Sequence, residues 1–202
     1  ECLYKSKMGH NGIEESLDNI VDEIESYIDE GVNIIILSDR NVTKKMSPIP
    51  ILLACSFVHQ TMIKKKKRSK FGIIIESAEP REPHHFSMLF GFGASAINPY
   101  LVNEIIDYHH ELGFIKDISK GKAISNFNDY RGSQIFEALG LKTNFINKYF
   151  KNTPTRIEGV GLYVIEKEIS QRIKHAFNSS SDFISIRTGG DYRWRRDGES
   201  HM

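Results

Sequence analysis

Asp39 and Arg40 follow a run of consecutive aliphatic residues, and Glu76, Ser77, Glu79 and Arg81 follow a second one. Carboxylates, hydroxyls and guanidinium groups gathered in this way can hold an anion or move a proton at a site. They can equally satisfy one another as an ion network that fixes loop geometry. Position gives the set its interest, because in open α/β sheets the carboxyl ends of the strands line the functional crevice. Other residues invite other chemistry. Gly91, Gly93 and Ala96 fit the G-x-G-x-x-A spacing that, in a strand-to-helix turn, brings backbone amides to a pyrophosphate. The segment before them makes a poor strand, however, and Pro99 interrupts the place where a cradling helix should run. Packing through small residues accounts for the same spacing.

The histidine pairs His84-His85 and His109-His110 suit a metal by type, but adjacent side chains diverge on a helix or a strand, and each pair offers one inward ligand. Cys55 and His59 lie four apart on a helical pattern with nothing nearby to favour a thiolate, so Cys55 reads as a small core residue. Lys64, Lys65, Lys66, Lys67 and Arg68 form a cationic run that would bind an anionic partner or, more plainly, complement a helix C-terminus in solvent.

The elements that must position these groups follow from hydrophobic spacing. Leu17, Ile20, Val21, Ile24, Tyr27 and Ile28 predict an amphipathic helix over 14–30, stopped at Gly31. Residues 32–37 and 71–75 are unalternating β-branched runs, which predict parallel strands covered on both faces. Ser47, Pro48 and Pro50 predict the start of a helix over 51–63. A helix over 99–112 follows, then a polar connector over 113–130, a short helix over 134–139 closed by Gly140, and a last amphipathic helix marked by Leu162, Ile165, Ile169, Ile173 and Ala176. Helix, strand, helix, strand means α/β: a layered sheet of mostly parallel buried strands with flanking helices.

The chain has 202 residues, 27 Lys+Arg against 26 Asp+Glu, a formal net charge of +1 and 40% hydrophobic residues. Such a balance supports one folded core and no polyelectrolyte binding, so no nucleic-acid partner is expected. No apolar run approaches the roughly 20 residues that cross a bilayer, so no membrane partner is expected either. With two cysteines, a disulfide framework is excluded and a reducing intracellular compartment, cytoplasm or plastid, is expected. An opening without Met or an apolar leader suggests a piece of something longer.

Several blocks, in order, resemble the central domain of the glutamate synthase large subunit: 34–40 (IIILSDR), 49–59 (IPILLACSFVH), 75–86 (IESAEPREPHHF) and 91–101 (GFGASAINPYL). Farther on, 130–141 (YRGSQIFEALGL), 150–159 (FKNTPTRIEG) and 190–201 (GDYRWRRDGESH) resemble the family's path toward its flavin barrel. The resemblance implies a partial domain of a larger multidomain enzyme that forms glutamate from glutamine and 2-oxoglutarate by reductive amination. It implies residues 1–160 as part of the central α/β domain and 161–202 as a terminal helix and linker toward the FMN-binding barrel.

The parent enzyme is then expected to use FMN and a 3Fe-4S cluster, with none of its cofactors, metals or catalytic residues in this segment. Its expected partners are the amidotransferase and FMN-barrel domains of the same chain, and an electron donor: an NAD(P)H-oxidising subunit or domain, or ferredoxin. Cys2 does not match the amidotransferase nucleophile, because the residues after it differ. The segment itself is expected to be a scaffold that helps form an ammonia tunnel, since ammonia exposed to neutral water is largely protonated and loses its nucleophilic lone pair. Tunnel or interface residues are expected among Ser38, Asp39, Arg40, Ser77, Glu79, Arg81, Asn98 and Tyr100. The competing expectation is a stand-alone ligand-binding or interaction module using the 91–96 turn or the 64–68 patch. Between Asn128 and Asp129 the family carries a further Lys/Gly-rich segment, echoed imperfectly at 119–125.

Overall fold

The computed structural model describes residues 1–116 and 135–178. Most of the 113–130 connector, the junction at Asn128 and the 179–202 linker lie outside the described residues. The chain opens with β1 (Leu3–Lys5) and α1 (Gly9–Asp29), followed by β2 (Ile34–Ser38), β3 (Met46–Pro48), α2 (Ile51–Lys64), β4 (Gly72–Glu76) and α3 (Pro83–Gly91). Next come β5 (Ala96–Asn98), α4 (Tyr100–Glu111), β6 (Ala138–Leu141), α5 (Thr143–Tyr149), β7 (Thr155–Val160) and α6 (Leu162–Asn178).

β2, β4 and β5 form a parallel sheet in that order, with Ile36 opposite Ile74 and Ile75 opposite Ile97. Ile35, Leu37, Ile73 and Ile75 alternate onto one face and are buried, as the two-residue period of a strand requires. α2 lies on this face, touching both β2 and β4 as well as α3. Its first half is apolar almost all round, with Ile51, Leu53, Ala54, Cys55, Phe57 and Val58 all buried, as befits a helix in the core. α1 packs its Ile13, Leu17, Val21 and Ile24 stripe into the same core and contacts α2 and α6.

α1 begins five residues before the predicted start, because Gly12 and Ile13 extend the buried stripe against β1: a Cβ at Gly12 would lie 3.2 Å from the Tyr4 ring. Tyr27, assigned from sequence to the apolar stripe, is exposed. Leu3 and Tyr4 of β1 pair antiparallel with Pro48 and Ser47 of β3, so the residues expected to start α2 instead make a three-residue strand, and α2 starts after Pro50. The helix predicted over 134–139 is not formed at its C-terminal end. Ala138 and Leu139 belong to β6, which pairs parallel with β7 through a bulged register. Helix-forming residues here yield to a strand partner that lies more than a dozen positions downstream.

Among the described residues nothing covers the second face of β2, which the sequence predicts to be covered on both. Ile34 and Ile36 are each 57% exposed. The two crossovers proceed in the same direction across the sheet, so right-handed connections place α2 and α3 on one side only. No helix among the described residues is long and apolar enough to cross a membrane.

Candidate functional site

Parallel registration puts Ser38 beside Glu76 and Glu76 beside Asn98, so the carboxyl ends of all three strands carry one polar row. Glu76 is its centre. Its carboxylate accepts a hydrogen bond from Ser38 Oγ at 2.7 Å, from Arg40 Nε at 2.8 Å and from Asn98 Nδ2 at 3.4 Å. The Arg40 bond, and after it the Ser38 bond, holds the Glu76 carboxyl below the ordinary carboxylate range.

One residue on, the alternation turns Asp39 inward, where it is 3% exposed. It accepts from Ser77 Oγ at 2.5 Å, from the Ala78 N–H at 3.2 Å and from the Tyr100 hydroxyl at 2.9 Å. Burial, and then the bond to Asp39, raises Tyr100 above its ordinary value. The Arg40 guanidinium lies 4.1 Å over the Tyr100 ring and reaches Glu104 of α4 at 3.6 Å. Asp39 thus ties the end of β2 to the β4–α3 loop and to α4. Ser77 is committed in both directions, donating to Asp39 and accepting the Glu79 N–H at 3.1 Å, so it is no poised nucleophile.

Glu79 reaches the core from the β4–α3 loop and accepts the Ile51 N–H at 2.9 Å. The residue preceding α2 is Pro50, which has no side-chain acceptor, and Glu79 caps the helix from a distance of 28 positions, a bond that also suits the positive helix end. Burial, with Asp39 nearby, raises the Glu79 carboxyl above its ordinary value despite this bond. Arg81 is the exception among the predicted residues. Its backbone N–H donates to His85 Nδ1 at 3.2 Å, while its guanidinium makes no hydrogen bond or ion pair with the described residues. Glu104 and Asn103, which bonds Asn98 at 3.4 Å, complete the network. Sequence reasoning passed over them because they lie inside a helix, yet they stand at four-residue and three-residue steps from Tyr100, the spacing that shares one face.

The remaining candidates are placed elsewhere. Lys65 pairs with Glu25, and Lys67 with Glu25 and with Asp29 at 3.3 Å, across to α1. Arg68 turns inward and donates to His59 Nδ1 at 2.9 Å, to the Phe71 carbonyl at 2.7 Å and to the Gly93 carbonyl at 2.7 Å. Lys64 and Lys66 are exposed at the end of α2, as a solvated helix end requires, whereas Lys65, Lys67 and Arg68 act as clamps.

Gly91 closes α3 and Ala96 opens β5, so the G-x-G-x-x-A spacing falls in a helix-to-strand turn. The space over Gly93 is taken by His59, whose Nδ1 would lie 2.3 Å from a Cβ there. His84 meets the Phe136 ring edge-on, and His109 packs near Phe114. Cys2 and Cys55 are both buried, and burial pushes each thiol up to about 12. Among the described residues no three His, Cys, Asp or Glu side chains are grouped to hold a metal ion.

Comparison with known proteins bears on these residues as a set. Residues 1–142 match the family model described as the glutamate synthase central domain. The chain is 37% identical to a glutamate synthase (NADPH) large chain of Bacillus subtilis over 208 residues, covering 94% of this chain and 14% of that one. It is 32% identical to a glutamate synthase (NADH) of Schizosaccharomyces pombe, covering 99% of this chain and 10% of that one. It is 31% identical to ferredoxin-dependent glutamate synthase 2 of a Synechocystis strain, covering 91% of this chain and 14% of that one. The chain therefore spans about one seventh or less of these relatives. The alignments extend to 224 residues, beyond the 202 present, so these relatives carry residues with no counterpart here.

Proposed function

The chain belongs to the glutamate synthase central-domain family, and from that premise we propose that it is the central segment of a glutamate synthase. That parent enzyme makes glutamate from glutamine and 2-oxoglutarate, taking electrons from NADH, NADPH or ferredoxin. Residues 1–160 serve as part of its central α/β domain, and 161–202 lead toward the FMN-binding barrel. The segment sits between the amidotransferase and FMN domains as a scaffold and as one wall of the ammonia path. Two buried free thiols suit a reducing intracellular compartment, cytoplasm or plastid.

The described residues do not fit the parent's cofactors. A 3Fe-4S cluster is held by cysteine thiolates, and the only two cysteines of the sequence are buried core residues with thiols pushed up to about 12. A flavin phosphate needs backbone approach at a glycine turn, and His59 and Arg68 already occupy the one at Gly93. FMN and the cluster are accordingly assigned to other parts of the parent.

The observation that carries the reading is the closure of the Asp39 and Glu76 networks. Every oxygen of these carboxylates accepts a hydrogen bond from within the chain, so the cluster works by fixing geometry. It holds the ends of β2, β4 and β5 and the start of α4 in one arrangement at the crevice end of the sheet. A wall that conducts ammonia needs such rigidity, because a gap that admits water converts the nucleophile to ammonium. The module alternative has no comparable support, since Lys65, Lys67 and Arg68 of its basic patch are paired and its glycine turn is filled.

The test is coupling in the full-length parent. Asp39→Ala, Arg40→Met and Tyr100→Phe are expected to leave glutamine hydrolysis intact while glutamate formed per glutamine falls and free ammonia rises. Unchanged coupling in all three would remove these residues from the ammonia path. Glu79 and Asn98 are assigned the same framework role, and Ser38 and Ser77 act through the carboxylates they bond. Arg81, which stands apart from the network, is assigned to a domain interface.

A further inference from the structure

Among the described residues one face of the parallel sheet is left bare, and its composition is one that solvent does not explain. Ile34 and Ile36 of β2, with Ile74 of β4 beside Ile36, point away from α2 and α3, and Val32 just before β2 is exposed as well. A sheet with one wet face alternates apolar and polar residues, whereas parallel strands rich in Ile are found covered on both sides. α1 follows the ordinary rule, presenting Asp18, Asp22 and Glu23 to solvent on the face opposite its apolar stripe. The row ends at Ser38, Glu76 and Arg40, beyond which lies exposed Glu104.

We propose that this outer face, centred on Ile34 and Ile36, is the docking surface for an apolar helix face contributed by the part of the parent polypeptide outside this chain. The inference rests on the parentage proposed above. It commits to that occupant because the relatives carry roughly sevenfold or more the length of this chain. Layered α/β folds cover such a face with helices. At the crevice end, Glu76 and Glu104 outnumber Arg40, so a helix seated on the isoleucine row meets a rim of net negative charge and suits a cation at that position.

The test compares Ile34→Thr/Ile36→Thr in two settings, Thr being chosen because it keeps β-propensity. In the 202-residue chain the pair is expected to leave the thermal midpoint unchanged. In the full-length parent it is expected to lower the midpoint and to speed hydrogen exchange of the β2 amides at least tenfold. An equal loss in both settings would place the occupant within this chain and overturn the proposal. No change in either would show a face that stays bare, with the same consequence. If the wild-type 202-residue chain is a dimer and the variant a monomer, the occupant is a second copy and the proposal fails. Should the native polypeptide in its source cells have a mass of only 23.1 kDa, the parentage itself falls. The mass measurement separates that failure from a failure of docking.

Discussion

Ser77 Oγ lies 2.5 Å from Asp39 Oδ2, both residues buried, one at the end of β4 and the other at the end of β2. The contact joins neighbouring strands beyond their last ladder bonds. The other oxygen of the same carboxylate, Oδ1, accepts from the Ala78 N–H and the Tyr100 hydroxyl. Removing Ser77 and removing Asp39 are therefore unequal changes. Ser77→Ala deletes one donor and leaves the carboxylate two others, at a cost of about 1–2 kcal/mol. Asp39→Ala strands three donors, at a cost of about 3 kcal/mol or more. Urea denaturation of the two variants checks the order, and equal losses would show that the Asp39 carboxylate is not the hub.

Glu76 and Glu79 stand three residues apart and should respond to pH in opposite directions. Glu76 is held below its ordinary value near 4.5 by Arg40 and then Ser38. The stability it contributes is full above that value and is lost as pH falls through its folded pKa. Glu79 is raised above 4.5 by burial. Between 4.5 and its raised value the folded chain binds more protons than the unfolded one, so its contribution falls as pH rises. Glu76→Gln should then lose most relative to wild type near neutrality and little in acid. Glu79→Gln keeps an acceptor for Ile51 and should gain relative to wild type as pH rises. Stability curves for both variants from about pH 3 to about pH 8 test the pair of signs.

His59 offers a direct spectroscopic check. Burial first, and the Arg68 guanidinium second, lower its pKa from 6.5 to about 4. The folded state then prefers the neutral ring, so this group's contribution is present above about 6.5 and is lost as pH falls toward about 4. Proton NMR should show one imidazole titrating near 4. A value near 6.5 would mean that Arg68 does not donate to Nδ1 and that the clamp on Phe71 and Gly93 is not formed as described.

Legibility in the sequence tracks how locally each feature is determined. β2 and β4 are readable because IIIL and GIII admit no helical stripe, α1 and α6 because apolar residues repeat at three and four, and α2 because prolines open an apolar run too long for a strand. β1 and β3 are three residues each and exist only through their mutual pairing, which no window reveals. α3 carries a Pro at its first turn and Glu82 as its cap, with His85 bonded back in a capping box. Its H-H-F-S-M-L-F core lacks a polar stripe, so its period is hidden while its start signal is not. The β6 misreading has the opposite cause, strong local helix preference overruled by β7. At the site, the rule that charges at strand carboxyl ends converge brings together every predicted residue but Arg81. It could not rank them, because which carboxylate turns inward depends on a one-residue alternation at the strand end. That alternation makes Asp39 the buried hub and leaves Glu76 partly exposed.

Gly31 is the natural control for Gly93. Both have positive φ, +113° and +92°, where any Cβ strains the backbone. At Gly31, which ends α1, a Cβ meets nothing within 4 Å, so Gly31→Ala carries the backbone cost alone, about 1 kcal/mol. At Gly93 the added carbon would sit 2.3 Å from His59 Nδ1 and 3.0 Å from His59 Cβ. The ring can move only by giving up the bond from Arg68, which also holds the Gly93 carbonyl itself. Relief of the clash therefore dismantles a half-buried guanidinium's contacts and leaves its donors without acceptors. Gly93→Ala should cost about 3–4 kcal/mol, well beyond Gly31→Ala. In Gly93→Ala the His59 titration should also move up from about 4 as the ring leaves Arg68, whereas in Gly31→Ala it should stay. If both variants lose the same stability and His59 titrates unchanged in each, the turn is not packed against His59, and the small-residue spacing at 91–96 would need another explanation.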